Sequence, residues 1–115
     1  MRELLRALKA AGDESRLRIL NMLRLRPLCV CEIAEVLGLA QSTVSRHLKI
    51  LEDSGLLERT KDGLWVEYAL APAPAGSVQR RLLSTVIDAV DASDTARNDV
   101  EKARTVDRQI LCAKK

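Results

Sequence analysis

The sequence predicts a mainly α-helical domain that carries one small β-hairpin, and three observations support this fold class. Apolar residues recur at helical spacing through most of the 115 residues. Asp62-Gly63, a strong hairpin-turn signal, separates two short strand-like runs. The segment 71–76, rich in Ala and Pro, interrupts the pattern as a linker. The length suits one domain, so we expect 1–115 to form a single domain.

Apolar stripes predict four helices before the hairpin, over residues 3–11, about 14–25, 31–37 and 41–53. Asp13 is a suitable N-cap for the second helix, and Pro27 stops it. Gly38 can adopt the left-handed conformation that closes the third helix. Because the third and fourth helices are short and joined by a tight turn containing glycine, they predict a helix-turn-helix unit at 31–53.

The hairpin follows the helix-turn-helix directly and is expected at 56–70, with strands at 56–60 and 64–70 and the turn at Lys61-Asp62-Gly63. A hairpin in this position is the wing of a winged helix-turn-helix. Periodicity then predicts a helix over 78–90 and a charged, weakly amphipathic helix over about 95–111. The predicted order is therefore ααα-turn-α-ββ-αα.

The fourth helix has the composition of a helix that enters the major groove of DNA. Val44 and Leu48 form an apolar face for docking, and polar or basic residues fill the rest. Its candidate DNA contacts are Gln41, Ser42, Thr43, Ser45, Arg46, His47 and Lys49. In the hairpin, Arg59 and Lys61 can reach the DNA backbone or the minor groove. An ordinary amphipathic helix and solubilising hairpin charges are the alternative interpretations, and His47 suits a packing edge as well as a phosphate contact.

Charge and composition narrow the class of partner. The formal net charge is +3, but residues 1–30 carry +4 and residues 31–58 carry −3. A monomer with this distribution makes few phosphate contacts, whereas a symmetric dimer doubles them. One Trp, one Tyr and no Phe argue against stacking on single-stranded bases. One His and five Gly leave little material for a catalytic site, so we do not expect an enzyme.

The sequence predicts neither a membrane-spanning segment nor a signal peptide. No apolar run is long enough to span a bilayer, and the charged first residues lack the apolar core of a signal peptide. We therefore expect a cytoplasmic protein with no membrane partner, in which the cysteines are reduced.

Three segments resemble the ArsR/SmtB family of metalloregulatory repressors. Residues 10–20 resemble the opening of the family's second helix, although Glu14-Ser15 stands where Pro-Thr is commoner. Residues 28–33, Leu-Cys-Val-Cys-Glu-Ile, resemble its cysteine motif, and residues 41–57 its recognition helix and exit. The resemblance covers about 5–70. It implies a homodimer that leaves double-stranded operator DNA on binding its inducer.

The resemblance also implies which segments form the dimer and which ion acts as inducer. Dimerisation is expected through the helices at 1–11 and 78–111, and the last 40 residues match the family only loosely. The implied inducer is trivalent arsenic or antimony, while DNA binding itself needs no cofactor. The family often has a third cysteine where this chain has Ala34.

Cys29 and Cys31 are the candidate ligands, because thiolates are soft donors that select thiophilic ions. In a regular helix, residues i and i+2 point about 200° apart around the axis, so both sulfurs hardly reach one small ion. Gripping an ion would then favour an extended or unwound start of the 31–37 helix and misalign the recognition helix.

Several alternatives remain open at this stage. Cys112, a solvent ligand or an exogenous thiol could complete a three-ligand site, or a two-thiol site could respond to an organoarsenical, cadmium or an oxidant. There are also non-functional interpretations. Cys29 and Cys31 would then be small buried residues that only pack the domain, and Cys112 would lie in a frayed tail without a role. A zinc sensor is disfavoured because residues 78–115 contain no histidine. A winged-helix adaptor that binds protein instead of DNA is the other class of function.

Overall fold

The computed structural model describes residues 1–112, apart from the side chains of Gln109 and Cys112. Its elements are α1 Arg2–Ala11, α2 Glu14–Leu23, β1 Leu28–Cys29, α3 Val30–Leu37, α4 Gln41–Asp53, β2 Leu57–Asp62, β3 Trp65–Leu70, α5 Val78–Val90, α6 Asp94–Thr105 and α7 Arg108–Cys112. The winged helix-turn-helix is confirmed. None of these described helices combines the length and apolarity that a membrane span requires.

The helix-turn-helix consists of α3 and α4, which pack on each other, and α4 also packs on α2. Gly38 closes α3 with a φ of 70°, a left-handed conformation that glycine adopts without strain. On α4, Val44, Leu48 and Leu51 are fully buried and repeat at helical spacing. This apolar stripe fixes the rotation of α4, so its polar face is turned outward.

The wing differs from the prediction in its turn and in its number of strands. β2 and β3 pair from Leu57↔Leu70 to Asp62↔Trp65, so the loop is Gly63-Leu64 and not Lys61-Asp62-Gly63. Gly63 has a φ of 60°, which suits the first position of a two-residue turn.

A further strand, β1, was not predicted because two residues are too short to show a period. It makes the sheet three-stranded and antiparallel, in the order β1-β3-β2. Its register pairs Leu28 with Tyr68 and Cys29 with Glu67. The segment that carries Cys29 is therefore hydrogen-bonded to the wing.

The prediction of a single helix over about 95–111 is wrong, because residues 106 and 107 are not helical and separate α6 from α7. Arg26 donates from Nη2 to the carbonyl oxygens of Ala103 and Val106, at 3.1 and 3.2 Å. Val106 has an extended conformation, with a ψ of 142°. Arg26 thus satisfies carbonyl groups at the end of α6 that a continuing helix would use.

α6 is anchored inside the same chain by a buried ion pair. Arg18 donates to both carboxylate oxygens of Asp99, at 2.8 and 2.9 Å, and the Asp99 side chain is only 2% exposed. Asn21 adds a hydrogen bond from Nδ2 to the Ala96 carbonyl oxygen, at 3.1 Å. These contacts join α6 to α2, which ends at Leu23 instead of residue 25.

Asp13 is the N-cap of α2, as predicted, and its loss should be measurable. Its carboxylate accepts from the Arg16 backbone N–H at 3.0 Å, and this hydrogen bond lowers the pKa of Asp13 below its ordinary 3.8. Asp13→Ala should reduce the free energy of unfolding by about 1 kcal/mol at neutral pH. Because the folded-state pKa is the lower one, this contribution is present above pH 3.8 and fades as the pH falls through the folded-state pKa.

Urea denaturation at neutral and acidic pH measures both effects. Asp13→Asn is the matched control, because asparagine keeps the acceptor without the charge. Equal destabilisation by the two substitutions would contradict the capping role.

Candidate DNA-binding surface and cysteine site

The outward face of α4 carries the predicted DNA contacts. The exposed ones are Ser42, Ser45, Arg46 and Lys49, while Gln41 and Thr43 are half-buried. Lys49 forms only a local ion pair with Asp53, at 3.2 Å, in which both side chains are largely exposed. The N-cap of α4, Ala40, has no side-chain acceptor for the first backbone N–H groups of the helix. The arrangement leaves polar and basic groups available along one helix face.

His47 lies at the edge between α4 and α2, where Arg16 holds it. Arg16 donates from Nε to the Ala10 carbonyl oxygen at 2.6 Å, and its Nη1 is 3.1 Å from Nδ1 of His47. Because arginine can only donate, a hydrogen bond at this contact requires Nδ1 of His47 to accept. A phosphate contact from His47 stays a prediction. Arg16 was not singled out from the sequence, since only the fold brings it to His47.

The wing presents its basic residues on β2. Lys61 is exposed, and Arg59 is 57% exposed with its Nε 3.4 Å from the Glu52 carboxylate of α4. The tip residue Leu64 is 91% exposed. The pair between Arg59 and Glu52 ties the wing to the end of the recognition helix, so the two candidate DNA-contacting elements are linked directly.

The sulfur atoms of Cys29 and Cys31 lie 3.1 Å apart and are shielded from solvent. Cys29 is a free thiol, whereas Cys31 is disulfide-bonded in this structure, so the expectation that the cysteines are reduced is not met at Cys31. Cys29 is the N-cap of α3 and is extended, with φ −93° and ψ 168°, whereas Cys31 lies in the first turn. Because Cys29 precedes the helix, the separation expected within a regular helix does not apply, and the sulfurs meet at an extended start of the helix. No unwinding of α3 is needed to bring the pair together.

Glu32 completes a capping box with Cys29. Its Oε1 accepts from the Cys29 backbone N–H at 2.9 Å, while the Cys29 side chain accepts from the Glu32 backbone N–H. Glu32 is 1% exposed, so its charge needs compensation. Arg26 and Arg108 supply it, at 3.4 and 3.1 Å. Sequence analysis missed these residues, although the spacing Cys29-x-x-Glu32 is that of a capping box.

Arg108 also reaches the wing. Its guanidinium is 2.8 Å from the Glu67 carboxylate of β3 and 3.7 Å from the Asp62 carboxylate of β2. Its side chain is 14% exposed. One residue of α7 therefore contacts the capping residue of the cysteine site and both strands of the hairpin.

Burial raises the pKa of the Cys29 thiol above its ordinary 9.0, and the nearby Glu32 carboxylate adds to this. The Glu32 backbone N–H and the Arg108 guanidinium act in the opposite direction without reversing it. At neutral pH the Cys29 sulfur therefore stays protonated. A ligand that reacts with it must take up that proton.

The residues around Cys31 are relevant to Cys112, the third predicted ligand. Cys31 lines a cavity of about 650 Å³ together with Ala34 and Leu111. Cys112 ends α7, but its side chain lies outside the described residues. In the part of the chain that is described, no group of three or more His, Cys, Asp or Glu is placed to hold a metal ion. Two soft sulfur donors are what this part of the site supplies.

The sequence matches a family of bacterial regulatory proteins. The model of the bacterial regulatory protein arsR family matches residues 13–59, which contain the cysteine pair and the helix-turn-helix. The arsenical resistance operon repressor of Escherichia coli K12 is 46% identical over 65 residues, which are 56% of this chain and 56% of that repressor. The arsenic resistance transcriptional regulator ArsR1 of Pseudomonas putida KT2440 is 39% identical over 93 residues, covering 77% and 72%.

Solved structures agree with the fold. Reduced HlyU from Vibrio cholerae has a TM-score of 0.65 at 30% identity, covering 81% of this chain and 90% of that chain. The homodimeric winged helix-turn-helix domain of Mb0332 from Mycobacterium bovis has a TM-score of 0.65 at 29% identity, covering 81% and 82%. The two relatives are named as a repressor and as a transcriptional regulator, not as enzymes. The chain belongs to the ArsR family of bacterial regulatory proteins.

Proposed function

We propose that this protein is a transcriptional repressor of an arsenical-resistance operon, released from operator DNA when trivalent arsenic or antimony binds its cysteine thiols. The observation that carries the proposal is the contact between the Cys29 and Cys31 sulfurs at the start of α3. Because α3 packs on α4, a change at the sulfur pair acts on the helix that supports DNA recognition. A cytoplasmic location, where the thiols stay reduced, is part of the proposal.

Major-groove binding by α4 is supported by its exposed polar face and its apolar docking stripe. Arginine at position 46 can bond guanine in a bidentate manner, and the wing residues Arg59 and Lys61 add phosphate contacts. The uncapped start of α4 offers backbone N–H groups to a phosphate. Lys49, Ser42 and the other predicted residues of α4 complete the contact surface.

A homodimer is supported by the apolar face that α1 presents to solvent. Leu4, Leu5 and Leu8 are 40%, 48% and 46% exposed, an unusual exposure for three leucines on one short helix. Leu4 also lines an open cavity of about 350 Å³ shared with α5. We place the dimer contact at α1 and α5, within the predicted segments 1–11 and 78–111, because α6 packs against its own chain.

The binding reaction needs no oxidant. Arsenous acid, As(OH)3, exchanges hydroxide for thiol sulfur: each S–H proton joins a departing hydroxide as water, and a sulfur–arsenic bond forms. Arsenic stays trivalent throughout. Cys29 and Cys31 supply two sulfurs once a cellular thiol has reduced the disulfide of Cys31, taking up the two-electron oxidation as its own disulfide. Cys112 is our candidate for the third sulfur because its neighbour Leu111 lines the same cavity as Cys31.

Arg46→Ala should weaken operator binding by about 1–3 kcal/mol, the worth of one bidentate base contact. Fluorescence anisotropy with labelled promoter DNA measures this loss. Arg97→Ala is the matched control, because Arg97 is an exposed arginine of α6 that pairs locally with Asp94. Equal affinity of the Arg46 variant and the wild type would exclude Arg46 as a base contact. A wild type that binds no promoter DNA would favour the adaptor function.

Cys29→Ser and Cys31→Ser should each abolish release from the operator by arsenite, because either change removes one of two converging donors. The same titration on Cys112→Ser decides whether Cys112 is a third ligand. Peroxide and cadmium are run in parallel on the reduced wild type. Release by peroxide alone would overturn the arsenic proposal in favour of redox sensing.

Sedimentation velocity should show a dimer for the wild type and a monomer for Leu4→Lys. The introduced charge would lie in the apolar contact proposed between copies of α1 and α5. Leu64→Lys is the control, since Leu64 is even more exposed but lies at the wing tip. A dimer that survives the Leu4 change would place the interface elsewhere.

A further inference from the structure

We propose that Arg108 is the positioning residue that couples the cysteine site to the wing. The inference rests on the proposed function and adds a route by which inducer binding reaches a second DNA-contacting element. Besides Glu32 of α3, it concerns residues of α7 and of the sheet, which lie outside the helix-turn-helix.

The contacts around Arg108 form a closed ring. The Cys29 backbone N–H donates to Oε1 of Glu32 at 2.9 Å, and the same oxygen is 3.1 Å from Nη2 of Arg108. That Nη2 is 2.8 Å from Oε2 of Glu67, and Glu67 is the β-sheet partner of Cys29. Any displacement of Cys29 therefore reaches Arg108 from two sides, through Glu32 and through β3.

Burial makes the ring sensitive to small displacements. The side chains of Glu32, Arg108 and Glu67 are 2%, 14% and 21% exposed, so water screens their charges only partly. One guanidinium serves three carboxylates, those of Glu32, Glu67 and Asp62, which belong to three different elements. A longer contact to Glu32 leaves Arg108 free to strengthen its pairing with the wing, and the reverse also holds.

Inducer binding acts on the ring at Cys29. Bond formation removes the thiol proton and replaces the direct contact between the two sulfurs. Cys29 is the N-cap, so a shift of its side chain alters the capping bonds that it shares with Glu32. Arg108 then transmits the change to Glu67 and to Asp62, the last residue of β2. Asp62 is adjacent to Lys61, so the basic edge of the wing changes position.

The test compares how strongly arsenite weakens operator binding in four proteins: wild type, Arg108→Gln, Glu67→Gln and Arg104→Gln. Arg104 is the matched control, because it is 57% exposed and pairs only with Glu101 of its own helix. Anisotropy gives the operator Kd with and without arsenite, and ultraviolet absorbance of the sulfur–arsenic bonds gives arsenite affinity. A coupling free energy, not an affinity alone, is thus measured.

We expect the arsenite-induced change in operator Kd to fall about fivefold or more in Arg108→Gln and Glu67→Gln, with arsenite still bound. The double variant should lose no more than either single change, because both break the same link. Arg104→Gln should behave as the wild type.

Undiminished release in Glu67→Gln or Arg108→Gln, or an equal loss in Arg104→Gln, would overturn the inference. If thermal denaturation shows that Arg108→Gln does not fold, Glu67→Gln alone decides, because its side chain is partly exposed. A wild type that arsenite does not release would instead refute the proposed function, which separates the two failures.

Discussion

The buried carboxylate of Glu32 is the constraint on which the arrangement of the site depends. A carboxylate with 1% exposure is stable only where donors and cations surround it. The donors come from three parts of the chain: the Cys29 backbone, Arg26 before β1 and Arg108 of α7. The start of α3, the end of α6 and the short α7 must therefore be in place together for this charge to be compensated.

The same requirement explains how two cysteines one residue apart meet. Glu32 accepts the Cys29 N–H and so holds Cys29 outside the helix, in an extended conformation. The extended cap turns its sulfur toward Cys31, whose position the first turn of α3 fixes. β1 then joins this cap to β3, so the capping box, the sulfur pair and the wing share one short segment.

Periodicity predicted the parts of the fold that apolar burial decides. The α4 bounds, 41–53, follow from the stripe of Val44, Leu48 and Leu51, and the structure has the same bounds. The break between α6 and α7 depends on Arg26, which lies 77 and 80 residues from the carbonyls it binds, so no local pattern could reveal it. The sequence could give the sulfur geometry only conditionally, as a contact that needs an extended backbone, because it does not show that the capping box keeps Cys29 out of the helix.

The two C-terminal helices are held by different forces, and this difference assigns them different roles. α6 buries Ala103 and the ion pair between Arg18 and Asp99, so its position is set by packing and by a buried charge pair. α7 is only five residues long, and its Ile110 is 59% exposed. Among the described side chains of α7, Arg108 forms ion pairs with Glu32, Glu67 and Asp62, and such contacts respond to charge and distance at Glu32. α6 thus fixes the frame against which a shift of α7 and the wing can occur.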